Sequence, residues 1–174
     1  YAGEGSRMVF DYVLASVLYQ QYTHRGRRLR GMDVAVSGNV PMASGLSSSS
    51  AMVVAAMEAI TAVNGITMSP SEIVPACGQA EWFVGSRGGA GDHAAIRLGK
   101  AGHVARMGFH PFSISRYVRL PADVAVLVAY SGQHAVKSAG ARDRFNERVA
   151  CYRIGMMLLQ KKYPRLAKKL QYVR

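Results

Sequence analysis

The stretch that most constrains this chain is a polar, glycine-containing loop between an alternating apolar segment and an alanine-rich segment. It reads Pro41-Met42-Ala43-Ser44-Gly45-Leu46-Ser47-Ser48-Ser49-Ser50-Ala51. Before it, valines at even spacing predict a strand over residues 29–40. After it, apolar residues recur at helical spacing as far as Asn64-Gly65, which predicts a helix over residues 48–63. The loop is therefore expected to lead from a strand into a helix.

The serines of this loop are expected on the first turn of that helix. Several backbone N–H groups have no acceptor within the helix there, and the helix dipole adds partial positive charge. Phosphate oxygens are natural ligands at such a position, and serine hydroxyls can donate to them or bind Mg2+. The residues alone leave a second interpretation open, a serine-rich helix cap without a ligand. The loop lacks the Gly-Lys-Ser/Thr of a Walker loop and the Gly-x-Ser-x-Gly of a nucleophile elbow.

Residues 41–51 resemble the second motif of the GHMP small-molecule kinases, Pro-x-Gly-x-Gly-Leu-Ser-Ser-Ser-Ala, whose loop wraps the phosphates of ATP. Within that family the likeness is greatest to the galactokinase type. Ala43 stands where the family has glycine. The resemblance implies an ATP-binding loop made of Pro41, Ser44, Gly45, Leu46, Ser47, Ser48, Ser49 and Ser50.

A second glycine-rich stretch contains the candidate catalytic carboxylate. From the residues alone, Asp92 is expected to lie buried behind a glycine-rich turn with room for a substrate, or to be a helix cap. Residues 88–93 resemble the galactokinase segment Cys-Gly-x-Met-Asp-Gln, in which the aspartate faces the accepting hydroxyl. The resemblance implies that Asp92 is the catalytic base or orients that hydroxyl, and that Gly89 lies at the substrate. Gly91 and His93 replace the usual Met and Gln, on what is expected to be the substrate side.

The resemblance also implies a metal site and a sugar contact. Glu81 lies eleven positions before Asp92, the spacing at which mevalonate kinase-like members carry a metal-binding glutamate, so Glu81 and Ser49 are implied to hold Mg2+. The alternative for Glu81 is an exposed helical glutamate. Phe145 stands where galactokinases have a tyrosine whose hydroxyl reaches the sugar. A site that lacks this donor would select among sugars differently.

Charge is the one unusual feature of the composition. The chain of 174 residues has a net charge of +12, and 49% of its residues are hydrophobic, as in a folded globular protein. The basic residues concentrate near residues 25–30 and 161–174. Such clusters can bind nucleic acid, but no stacking aromatics interleave the first one, so solvated surface is the favoured interpretation and nucleic acid is not the expected partner.

Apolar runs, cysteines and the N-terminal sequence bear on where in the cell the protein is expected. The longest apolar run, residues 124–130, is too short to span a bilayer. The two cysteines have no metal-ligand spacing and are too few for a disulfide framework, and no signal-peptide pattern opens the chain. A cytoplasmic location without membrane attachment is expected.

Further elements follow from periodicity. A first helix over residues 5–24 is expected to pack through Phe10, Val13, Leu14, Val17 and Leu18. Ser69-Pro70-Ser71-Glu72 predicts the start of a helix that runs toward Phe83. Short strands are predicted over residues 94–98 and 103–107, a buried strand over residues 123–131, and a long helix with Phe145, Val149, Tyr152, Met156 and Leu159 on one face.

The resemblance implies an α/β (α+β) GHMP kinase fold. Residues 1–120 would form the rest of the N-terminal ATP-binding domain, which is ribosomal protein S5 domain 2-like, and residues 121–174 its end and the start of the C-terminal domain. The family's first, sugar-binding motif is expected upstream of Tyr1 and its third motif downstream of Arg174.

The implied activity is transfer of the γ-phosphate of ATP to a sugar hydroxyl. The sugar would be galactose, which would become galactose 1-phosphate, or a related sugar. The implied partners are ATP, Mg2+ and a small sugar. Two alternatives stay open at this point. One is a catalytically inactive galactokinase-like regulator that binds sugar or nucleotide, and the other is a basic nucleic-acid-binding module.

Overall fold

Two units make up the chain in the computed structural model, which describes residues 4–109, 112–133 and 139–167. The first unit is Tyr1–Ala135 and the second is Val136–Arg174. The second unit contains helix α5, Ala139–Lys162, followed by a 3-10 turn, Pro164–Leu166. The long helix predicted around Phe145 is therefore confirmed. The predicted division at residue 120 concerns the domains of a whole kinase and stays a prediction.

The first unit is mostly helical, with one small sheet. No helix in the described ranges is both long enough and apolar enough to cross a membrane. The unit's elements are α1 Glu4–Thr23, α2 Ser48–Val63, α3 Pro70–Ala80, a 3-10 turn Glu81–Val84, α4 Gly91–Leu98, β1 His103–Phe109 and β2 Phe112–Arg119.

Helix α2 has the bounds that the sequence predicts. Its first residue directly follows Ser47, and Asn64 caps its C-terminus. Gly65 then takes a positive φ of 56°, a conformation that costs glycine little, so the chain leaves the helix there.

Helix α3 begins with the capping interaction that its sequence predicts. Ser69 donates its backbone N–H to Glu72 Oε2 at 2.7 Å. Hydrogen bonds from Ser69 lower the pKa of Glu72, because they favour its charged form. The predicted helix toward Phe83 is α-helical only to Ala80, and the remainder tightens into the 3-10 turn.

The core lies where α2, α3 and α4 meet. Its buried residues are Val53, Val54, Met57, Ile73, Val74, Ala76, Cys77, Ala80 and Ala94. These side chains come from three different elements, so the core fixes the starts of α2 and α4 relative to α3.

Helix α1 packs through a face other than the predicted one. Phe10 is 62% exposed and Leu14 is 39% exposed, whereas Ala15, Ser16 and Gln20 are buried. Gln20 Nε2 lies 2.9 Å from the sulfur of Met57 on α2. A face of small and polar residues lets two helices approach closely, and apolar periodicity alone does not reveal such a face.

The small sheet is an antiparallel pair, β1 with β2, with a register irregularity between Arg106 and Met107. The predicted strand over residues 103–107 is confirmed in position, but its partner is β2. The strand predicted over residues 94–98 is wrong, because these residues belong to α4. Leu98 still contacts the sheet, since its carbonyl accepts a hydrogen bond from the Tyr117 hydroxyl at 2.6 Å.

Two other strand predictions are also wrong. Residues 29–40 and 123–131 form no ladder, and only β1 and β2 pair among the described residues. Val34 and Val36 are about half exposed, and Leu127 is 90% exposed. Alternating or continuous apolar residues give a segment the capacity to form a strand, but a strand exists only where a second strand accepts its hydrogen bonds.

The two thiols are expected to differ in reactivity. Burial, together with the nearby negative charges of Glu58 and Glu81, raises the pKa of Cys77 to about 12. Cys151 is exposed. Because the thiolate is the reactive form, iodoacetamide at pH 8 should add one label to the folded protein, at Cys151, as measured by intact mass and peptide mapping. Labelling of Cys77 at a similar rate without denaturant would contradict this prediction.

Candidate active site

The loop before α2 is held by its own hydrogen bonds and by left-handed backbone. The Ser44 hydroxyl donates to the Pro41 carbonyl at 2.7 Å. Gly45 has a φ of 79°, which glycine adopts freely. Leu46 is 43% exposed. The loop therefore turns sharply and presents its backbone at the start of the helix.

Ala43 has a φ of 55°, in the region that favours glycine. This conformation costs an alanine roughly 1 kcal/mol, because its Cβ approaches the following carbonyl oxygen. Ala43 is also the position at which the family motif has glycine. A left-handed backbone at this position accounts for that preference.

Ser47 does not cap its own helix. It stands at the N-cap of α2 with φ 57° and ψ 40°, and its side chain makes no capping hydrogen bond. Its hydroxyl instead donates to Asp92 Oδ2 at 2.7 Å. The first intrahelical bond runs from the Ala51 N–H to the Ser47 carbonyl. The start of α2, with Ser48 and Ser49 as its first residues, is thus directed toward an acidic side chain from another element.

Asp92 lies in the first turn of α4 and is exposed. The prediction of a buried carboxylate is wrong, because the preceding glycine-rich segment does not cover it. An exposed carboxylate can be reached by a substrate, and its contact with Ser47 places it at the start of α2. The structure thereby brings the two predicted motifs, 45 residues apart, to one place.

Glu81 is the first residue of the 3-10 turn and is only 7% exposed. The alternative of an exposed helical glutamate is therefore wrong. Glu81 Oε1 accepts a hydrogen bond from the Ser50 hydroxyl at 3.0 Å. The same oxygen lies 3.3 Å from His93 Nε2. We call Ser50, Glu81 and His93 the buried polar triad.

His93 is the residue that the sequence interpretation missed. It directly follows Asp92, but it is 1% exposed and faces Glu81, so it does not lie on an open substrate surface. The distance between His93 Nε2 and Glu81 Oε1 is within the range of an ion pair. Neither ring nitrogen of His93 forms a hydrogen bond among the described residues. Ser50 stands where the family motif has Ala, and His93 stands where the galactokinase segment has Gln. These two replacements were the signal in the sequence that could have indicated the contact with Glu81. Both of these residues contact the same glutamate oxygen.

The glycine-rich segment between Glu81 and Asp92 approaches the triad. A Cβ built at Gly88 would stand 3.9 Å from Glu81 Oε2, whereas one at Gly89 would meet nothing within 4 Å. Gly89 is therefore open to a ligand. The Arg87 guanidinium lies over the Trp82 ring, 4.6 Å from its centroid.

Oxygen donors of the kind that Mg2+ prefers surround the start of α2. They are the exposed carboxylate of Asp92, the hydroxyl of Ser49, and Glu81 Oε2, which neither Ser50 nor His93 contacts. No three His, Cys, Asp or Glu side chains cluster tightly enough to hold a metal by themselves in the described ranges. The donor chemistry fits Mg2+, and nucleotide phosphates would have to supply further ligands. Phe145 lies on α5 in the second unit and is 46% exposed, so its role stays a prediction.

Comparison with known proteins agrees with these motifs. Residues 11–100 match the family model described as the GHMP kinases N terminal domain. The chain is 30% identical over 150 residues to a galactokinase of Dictyostelium discoideum, covering 86% of this chain and 30% of that protein. It is 36% identical over 123 residues to a galactokinase of Chloroflexus aurantiacus, and this match covers 70% of this chain and 30% of that protein. It is 29% identical over 151 residues to a galactokinase of Schizosaccharomyces pombe, and this match covers 83% of this chain and 29% of that protein.

The chain thus spans about 30% of the length of these galactokinases. The matched residues 11–100 contain the loop before α2, the buried polar triad and Asp92. The mixed fold of helices and one small sheet is that of an α+β protein. The chain belongs to the GHMP kinases, and residues 11–100 are its GHMP kinase N-terminal domain.

Proposed function

We propose that the full-length protein is an ATP-dependent sugar kinase of the galactokinase type. The observation that carries this proposal is the hydrogen bond between Ser47 and Asp92, 2.7 Å long. It joins a loop suited to phosphate oxygens with a carboxylate suited to an accepting hydroxyl. The galactokinase relatives support the substrate class.

In the proposed reaction a sugar hydroxyl attacks the γ-phosphorus of ATP. The new oxygen–phosphorus bond forms as the bond to the β-phosphate oxygen breaks, and ADP leaves. Asp92 orients the hydroxyl and accepts its proton. Little covalent chemistry is required of the protein, so positioning and charge neutralisation contribute most of the rate.

The nucleotide phosphates are proposed to lie against the loop of residues 41–50 and the first turn of α2. Helix amides and serine hydroxyls would donate to the phosphate oxygens. Ser49 and Glu81 would hold Mg2+, which neutralises phosphate charge when bound. The contacts of Ser50 and His93 with Glu81 Oε1 would fix that carboxylate, leaving Oε2 toward Gly88.

The remaining elements are proposed to follow the family fold. Residues 1–120 would belong to the ribosomal protein S5 domain 2-like N-terminal domain, and residues 121–174 would include the start of the C-terminal domain. Gly89 and Phe145 are proposed substrate neighbours. Phe145 lacks the hydroxyl of the tyrosine that galactokinases carry, which changes the discrimination among hexoses.

Incubation of the full-length protein with ATP, Mg2+ and a panel of sugars tests the proposal. The panel should include galactose, other hexoses, a uronic acid and a heptose. We expect ADP release, measured by a coupled assay, with galactose or a related sugar. Nucleotide binding without ADP release on any sugar would contradict the kinase proposal and favour the regulator alternative.

A further inference from the structure

A polar cavity lies at the C-terminal end of α2, remote from the loop that precedes this helix. It has a volume of about 400 Å³, and its lining residues are Arg27, Arg28, Arg30, Ala62, Val63, Asn64 and Gly65. We call it the arginine pocket. Because α2 has 16 residues and each adds about 1.5 Å, the pocket is about 24 Å from the start of the helix. It is therefore separate from the site around Ser47 and Asp92.

Asn64 fixes the arginine-bearing segment to the helix end. Asn64 is only 6% exposed, and its Oδ1 accepts a hydrogen bond from the Arg30 backbone N–H at 2.7 Å. Its main-chain carbonyl accepts the Arg27 guanidinium. Its Nδ2 donates to the Ile60 carbonyl at 2.9 Å. The backbone that carries the arginines is thus held in place by a buried side chain, which lowers the entropy cost of ligand binding.

The arginines of the pocket have no acidic partner among the residues that the structure describes. No carboxylate lies within ion-pairing distance of Arg27, Arg28 or Arg30 in the described part of the chain. The Asn64 backbone N–H donates a hydrogen bond to the Ile60 carbonyl at 3.1 Å, and the Gly65 N–H donates one to the Ala62 carbonyl at 3.1 Å. The carbonyls of Ile60 and Ala62, in the last turn of α2, are therefore already hydrogen-bonded, which reduces their repulsion of an anion.

From these observations we infer that the arginine pocket binds a small, multiply charged phosphate anion of the diphosphate class. Guanidinium groups match phosphate oxygens in bidentate geometry, and three arginines are among the residues that line this one cavity. The pocket is concave and no aromatic side chain lines it, which favours a compact phosphate over a single-stranded nucleic acid. The bound anion would act at a site distinct from that of the transferred phosphate.

Calorimetric titration of the full-length protein with inorganic pyrophosphate at physiological salt tests this inference. Arg28 is exposed, so Arg28→Ala should fold normally. We expect Arg28→Ala to weaken pyrophosphate binding about tenfold or more. A saturating non-hydrolysable ATP analogue with Mg2+ keeps pyrophosphate from the loop before α2 in a parallel titration.

Arg25→Ala is the matched control. It removes the same charge from the same basic cluster, but Arg25 stacks on Tyr22, 4.5 Å from the ring centroid, and does not line the pocket. We expect it to change the affinity less than about threefold, an effect of the general field alone. Equal losses in both variants, or no pyrophosphate binding, would overturn the inference. Tighter binding of a single-stranded oligonucleotide than of pyrophosphate, lost in Arg28→Ala, would overturn it in favour of a nucleic-acid surface.

Discussion

Asp92→Asn in the full-length protein is expected to lower turnover by about 100-fold or more while nucleotide affinity stays nearly unchanged. The substitution keeps the size of the side chain and its ability to accept the Ser47 hydroxyl. It removes the negative charge that orients the sugar hydroxyl and accepts its proton. Initial rates at saturating ATP and sugar measure the loss, and equilibrium titration with nucleotide measures the affinity.

Asp33→Asn serves as the control for this experiment. Asp33 is an exposed aspartate in the irregular segment before the loop, so the same chemical change there should leave turnover within about twofold. A purely structural Asp92, acting as a first-turn acidic residue of α4, would tolerate asparagine well, because asparagine also suits helix starts. Near-normal turnover of Asp92→Asn would therefore remove this residue from the proposed reaction.

Glu81→Ala is expected to destabilise the protein by about 3 kcal/mol, because it leaves two buried groups without their partner. Ser50 would lose the acceptor of its hydroxyl, and His93, 1% exposed, would face a cavity. For a chain of this size the melting temperature should fall by roughly 6–12 °C. Urea unfolding followed by circular dichroism measures the free energy of unfolding.

Glu58→Ala provides a matched comparison. Glu58 also pairs with a cation, Arg97, but both side chains are about 40–50% exposed. Exposed ion pairs contribute about 0–1 kcal/mol, so this variant should be close to the parent protein. If the two alanine variants lost the same stability, the buried polar triad would have no special structural role.

The triad explains how the site is assembled. Ser50 belongs to α2, Glu81 follows α3, and His93 belongs to α4. Two contacts to one oxygen therefore connect three elements, and His93 of the triad directly follows Asp92, which binds Ser47. We expect the stability loss in Glu81→Ala to be accompanied by a looser loop, because Ser50 would no longer be tied to the segment before Asp92.

Local signals in the sequence predicted α1, α2 and the start of α3, but they did not predict α4. The bounds of α2 follow from the serines at its start and Asn64-Gly65 at its end. The start of α3 follows from Ser69 and Glu72, which interact within four residues of each other. These interactions are short-range, so the residues that make them are visible in the linear order.

Predictions that depended on distant partners were less successful. Residues 29–40 have strand-like alternation but pair with no strand in the described part of the chain. Helix α1 buries Ala15, Ser16 and Gln20, although Phe10 and Leu14 are more apolar. In both cases the outcome depends on which surface another element offers, and periodicity contains no information on that surface.

The sequence by itself therefore determined the boundaries of α2 after the loop and the family to which the motifs point. Only the tertiary structure decided that Ser47 contacts Asp92, that Asp92 is exposed, and that Glu81 is buried between Ser50 and His93. A motif records residues that are close along the chain, whereas these contacts join residues 12 to 45 positions apart. Burial of α2, α3 and α4 around one apolar core brings them together, and that arrangement is a property of the packed chain alone.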